Sequence, residues 1–135
     1  MKKIFIVLLV PLFMAIQCEK DPIYENIYRI QNNSSYDLIL ITQEEEVNIA
    51  APTEFNSEYD IIQVTDSYSP ITPSENIIFN EIILYREDSN GNQFITYEQL
   101  PIQDDLWILD SSAGYGIENP NYNIWVLSIT DDLLN

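Results

Sequence analysis

Few residues in this chain are equipped for chemistry. Histidine is absent and cysteine occurs once, at Cys18. Ser–His and Cys–His nucleophiles therefore cannot be assembled, and zinc sites built on His and Cys are excluded with them. Glycine appears only at positions 91, 114 and 116, too sparse and too late for a phosphate-cradling loop. Carboxylates remain. The pairs Asp104-Asp105 and Asp131-Asp132 are the candidates for acid–base work. Glycoside hydrolysis needs two carboxyls about 5 to 9 Å apart across a cleft. Nothing in the spacing of these pairs fixes such a distance, so both read as solvated strand ends. The run Asp88-Ser89-Asn90-Gly91 shares residue types with a calcium loop. Placing Gly91 at the sixth position of the twelve-residue loop puts Arg86 first and Tyr97 last, where carboxylates are required. A cation and a phenol cannot replace them. The stretch reads as a hairpin tip, with an irregular calcium site as its only rival, and no metal or cofactor is expected.

The chemistry open to Cys18 is set by what precedes it. Lys2 and Lys3 form a basic head, and Ile4 to Ile16 is apolar throughout. Spanning a bilayer takes roughly 20 apolar residues, so this run suits a secretory signal core instead. No small-x-small cleavage site lies nearby to mark an ordinary cleaved signal. A basic head, an apolar core and then a cysteine resembles a bacterial lipoprotein signal. That resemblance implies cleavage before Cys18, removal of residues 1–17, and a diacylglycerol on the Cys18 sulfur. Each buried methylene adds about 0.8 kcal/mol, so two or three acyl chains give a lasting anchor. Acylation also removes a free thiol that would be a liability in an oxidising compartment. Residues 18–26, CEKDPIYEN, held extended by Pro22, then form the tether.

Without residues 1–17, Lys20, Arg29 and Arg86 face all 22 acidic residues, a net charge of −19. Such a surface repels phosphate backbones and anionic lipid, so nucleic acid is excluded as a partner and membrane contact falls to the anchor at Cys18. The acidity reads first as a solvating coat that keeps sheet edges from associating. Its functional alternative is attraction of a cationic protein. The remaining length suits one domain and one core.

The elements follow from the apolar spacing. Alternating segments every eight to twelve residues, with no helical periodicity and no repeat, predict an all-β fold over residues 27–135. The expected architecture is an antiparallel β-sandwich, Ig-like or transthyretin-like, of about seven to eight strands. Tyr28 and Ile30 share a face, and Asn32 to Ser35 supplies turn chemistry. Leu38 and Leu40 then continue beside Ile39 and Ile41, which predicts a hairpin buried on both faces of its second strand. Val47, Ile49 and Ala51 alternate up to Pro52. Tyr59 to Val64 is extended, and Pro70 and Pro73 forbid a ladder after it, as a crossover between sheets would require. Residues 77–100 predict a hairpin around Asn90-Gly91, the pair suited to a type I′ turn. Trp107 belongs to a short strand over 104–110. The last strand carries Tyr122, Ile124 and Val126 on one face and Trp125, Leu127 and Ile129 on the other. Both faces are apolar, so the strand is central. Residues 131–135 form a frayed tail.

The arrangement Y-R-I-x-N-N-S-S-x-x-L-x-L over residues 28–40, then I-x-x-P over 49–52, resembles small lipoproteins of the Bacteroides-containing phylum. Ile78, Phe79 and Ile82, and the closing Y-x-I-W-V-x-x-I-T-D-D of residues 122–132, extend that resemblance. It implies a compartment and a β-sandwich, with no active site. The expected function is a non-catalytic outer-membrane lipoprotein, periplasmic or surface-facing, that binds a cationic protein or a glycan. An acidic inhibitor or immunity-type protein aimed at a basic enzyme is the alternative, and a small hydrolase is the third class. The contact surface expected from sequence is the long loop 111–121, where Tyr115 stands between Gly114 and Gly116.

Overall fold

A computed structural model describes residues 24–42, 46–52, 57–66, 69–110 and 122–135. Eight strands form two four-stranded sheets packed as a β-sandwich: β1 (Tyr24–Asn32), β2 (Leu38–Ile41), β3 (Glu46–Ile49), β4 (Glu58–Thr65), β5 (Ile82–Glu87), β6 (Gln93–Gln99), β7 (Trp107–Asp110) and β8 (Tyr122–Ile129). The first sheet has the order β4-β1-β8-β7 and the second β3-β2-β5-β6. Every pairing is antiparallel except β1 with β8, which run parallel, so the first sheet is mixed rather than purely antiparallel.

The strand period of two explains the core. Along β1, Asn26, Tyr28, Ile30 and Asn32 point inward and are buried, while the residues between them are only partly covered. Leu127 and Ile129 of β8 join them from the same sheet, and Leu38, Leu40, Ile49, Ile82, Leu84 and Tyr97 close the core from the other. Each such apolar side chain contributes roughly 1.5–3 kcal/mol on burial. β8 lies between β1 and β7, the central place its two apolar faces predict.

Several local expectations are corrected. β1 and β2 do not form a hairpin, because they lie in different sheets. Asn32 makes the corner between them. Its Nδ2 donates to the carbonyls of Tyr36 (2.8 Å), Ile49 (2.8 Å) and Ala50 (3.1 Å), and its Oδ1 accepts from Ser34 N and Oγ. The turn chemistry of Asn32 to Ser35 therefore turns the chain out of one sheet and into the other. β2 is buried on both faces only over Leu38 to Leu40, since Ile41 is exposed. Tyr24 to Asn26, assigned to the tether by sequence, belong to β1.

The segment after β4 does cross between sheets, since β4 and β5 lie in different ones. Ile77 to Phe79 precede β5 instead of opening it, because Asn76 Oδ1 accepts the N–H of both Ile78 and Phe79 and holds a turn there. Phe79 then packs inward, 5.2 Å from Tyr28 and 6.1 Å from Trp107 between ring centroids. Trp107 opens β7 after a 3₁₀ turn over Asp104–Leu106. The C-terminal residues are tied down: a 3₁₀ turn covers Asp131–Leu133, and Asn135 N donates to Thr96 O at 2.9 Å.

Candidate functional site

The hairpin of β5 and β6 frames a surface hollow among the described residues. Its turn runs from Asp88 to Gly91, closed by Gly91 N donating to Asp88 O at 3.0 Å, with Gly91 at φ +81°. Ser89 and Asn90 are thus the central pair, where the sequence predicts Asn90 and Gly91 in a two-residue turn. The cause is the Asp88 carboxylate, which accepts from Asn90 N, Asn92 N and Asn92 Nδ2 and so stabilises the longer loop. The Asn92 side chain, then the backbone N–H groups of Asn92 and Asn90, hold the Asp88 carboxyl below its ordinary pKa. Its acceptors are spent on its own turn, which gives that stretch a structural role.

Beside this turn the strands frame an open hollow of about 460 Å³, lined by Tyr36, Asp37, Ile39, Asn48, Arg86, Glu87, Asp88 and Phe94. Arg86 on β5 is opposite Phe94 on β6. Its guanidinium carbon lies 4.1 Å from the centroid of Tyr36 and 5.0 Å from that of Phe94, a double cation–π contact. Tyr36 arrives at the hollow because the Asn32 corner receives its carbonyl. Asp37 is fixed by Ala51 N, which donates to its Oδ1 at 2.8 Å.

The two described cations differ sharply. Arg29 forks onto Asp60, with Nε to Oδ1 at 2.7 Å and Nη2 to Oδ2 at 2.8 Å, and its Nη1 meets Glu58 Oε2 at 3.1 Å. That network lies on the outer face of β1 and the edge strand β4, where it blunts an otherwise apolar edge carrying Ile62 and Val64. Arg86 has no carboxylate at ion-pair distance and no hydrogen-bond acceptor among the described residues. A guanidinium held by two rings, with no ion-pair partner among the described residues, can turn its N–H donors to another molecule.

No known relative guides the assignment. Compared with protein-family models, curated proteins and solved structures, the chain finds no match.

Cys18, Gly114, Tyr115 and Gly116 all lie outside the described residues. One acid of each pair ties its 3₁₀ turn to a distant segment. Asp104 accepts from Ser74 N (2.7 Å) and Ser74 Oγ, and Asp131 from Ser35 N (2.7 Å) and Oγ. Among the described residues no three of His, Cys, Asp and Glu converge as metal ligands, and no helix is long and apolar enough to cross a membrane. In the sequence Arg86 reads as one of few cations and as an unsuitable first position for a calcium loop. The available signal was its scarcity, one of three cations after Cys18, on a strand rich in aromatic neighbours.

Proposed function

We propose that this protein is a non-catalytic, lipid-anchored binding module of the bacterial cell envelope, held at the outer membrane through Cys18. On this reading it belongs with the small lipoproteins of the Bacteroides-containing phylum that its motifs resemble. The observation that carries the binding role is the Arg86 hollow. It presents a guanidinium with no ion-pair partner among the described residues, held by two aromatic side chains, with no nucleophile–base pair in its lining. Those groups recognise and do not transform. The acidic surface supports a cationic protein as partner, and the polar-aromatic lining suits a glycan equally.

The test is recovery of the partner from detergent-solubilised envelopes with wild-type protein and with Arg86→Gln, at low and high salt. The Debye length falls from about 10 Å at 0.1 M to 3 Å at 1 M, so a cationic partner held by exposed charge is released over that range. Recovery should drop with Arg86→Gln through loss of the guanidinium's hydrogen bonds and ring contacts, although the change makes the surface more acidic. A partner retained equally by the variant contradicts the hollow as the contact.

A further inference from the structure

We infer that β4 is an acceptor strand, whose free edge takes an extended cationic segment of another protein as a fifth strand of the first sheet. The Arg86 hollow lies against the second sheet, so this surface stands whether or not the hollow binds. A strand with a neighbour on one side only presents a row of backbone N–H and C=O groups on the other. Folded proteins protect such edges by keeping them short, bulged, charged or covered. Three of the four edges among the described residues have such protection. β3 and β7 are four residues long each. β6 shifts register between the pairs Leu84–Tyr97 and Tyr85–Ile95. The chain end also covers it at Thr96, whose Oγ1 donates to Asn135 O while its carbonyl accepts Asn135 N. β4 has neither device. It runs for eight residues in unbroken register with β1, and no described strand lies on its other side. Only its first half is charged, where Glu58 and Asp60 share Arg29. Beyond Asp60 its outward-facing residues are Ile62 and Val64, both exposed.

The outward row of β4 also sets what fits. Directly opposed side chains on one face of a strand pair interact. A strand added antiparallel therefore matches β4 when it is apolar beside Val64 and Ile62 and basic beside Asp60 and Glu58. Two carboxylates share one guanidinium there, which leaves negative charge in excess for a lysine to meet. On the inner face, half-buried Tyr59 and Ile61 offer apolar partners at the margin of the core. Main-chain hydrogen bonds supply the affinity of such a strand, and alternate side chains supply its selection. A second copy of this chain is disfavoured, because its own acids would meet these and both domains are strongly acidic.

The experiment is fluorescence anisotropy of a labelled, end-capped peptide TVTIVKVK titrated with the full protein in mild detergent. Its charge-reversed form TVTIVEVE should bind about tenfold or more weakly. Successive residues of an added strand turn their N–H groups to opposite edges. N-methylation of the third and of the fourth peptide residue should therefore differ, one costing about tenfold or more and the other about threefold or less. Val64→Lys places a charge in the unprotected half of β4 and should weaken the peptide about tenfold. Ile108→Lys makes the same change of charge at an exposed residue of β7 and should leave binding unchanged. Urea midpoints confirm that both variants fold. The inference is overturned if the peptide gives no saturable signal, if TVTIVEVE matches it, or if the two methylated peptides bind alike. Equal weakening by Ile108→Lys and Val64→Lys overturns it as well, since that marks unspecific attraction to an acidic surface. Sedimentation that shows dimers of the protein itself, lost in Val64→Lys, assigns the edge to a second copy and overturns the cationic partner.

Discussion

Asn32 shows how much a single buried side chain decides. It is fully buried, and its amide serves three carbonyls and two Ser34 groups at the point where the chain changes sheets. Asn32→Asp removes every donor and turns a carboxylate toward those carbonyls. Each buried group left unsatisfied costs about 1–3 kcal/mol, so the variant should lose about 3 kcal/mol or more in urea unfolding at neutral pH. Asn33→Asp, exposed and bonded to the side chains of Ser128 and Gln31, should lose about 1 kcal/mol or less. Equal losses would contradict the corner's role. Tyr28 gives a pH signature. Burial, with the charges of Asp104 and Glu75 adding to it, pushes its hydroxyl up to about 12 from an ordinary 10. Between those values the unfolded chain gives up the proton that the folded chain keeps, so stability present below pH 10 is lost as pH rises toward 12. The loss is about 2–3 kcal/mol, and Tyr28→Phe should remove most of it, leaving a smaller slope from Tyr97, which burial also raises. An unchanged alkaline limb in Tyr28→Phe would show that another group controls it. Tyr28, Ile30, Leu38, Leu40, Ile49, Leu127 and Ile129 were legible from alternation. Asn32 was not, because turn chemistry in a sequence does not say whether the chain returns along the same sheet or leaves it.

At the level of elements, strand identity followed from period and composition, and pairing did not. β1 beside β8 in parallel joins the first strand to the last, a contact that no local pattern encodes. The hairpin of β5 and β6 was legible from Asn90-Gly91, yet its turn type was decided by an aspartate two residues earlier. Gly91→Ala therefore tests the backbone alone. A Cβ at that position meets nothing within 4 Å, so the cost is the left-handed conformation, about 1 kcal/mol, and Gly91→Asn should cost less. Thermal unfolding of the pair distinguishes this from a neutral loop position, at which both would match wild type. The Arg86 hollow was illegible for the same reason as the pairing. Tyr36, Arg86 and Phe94 come from a corner, a central strand and an edge strand that only the assembled second sheet brings together.

At the scale of the whole molecule, charge and fold work together. The described domain is a two-sheet sandwich in which Asp104 and Asp131 tie turns to distant segments and the exposed edge strand β4 is blunted by Arg29, Asp60 and Glu58. In the proposed setting the acyl chains at Cys18 hold that domain near the membrane while its negative surface keeps it off anionic lipid. The proposed envelope location depends on that anchor being made. The most direct measurement is intact and N-terminal-peptide mass spectrometry of the protein taken from the membrane fraction of its own cell. The account predicts a chain beginning at Cys18 with a diacylglyceryl modification on its sulfur, and redistribution to the soluble fraction in Cys18→Ala. A chain that keeps residues 1–17, or one whose Cys18 carries no lipid, would contradict it.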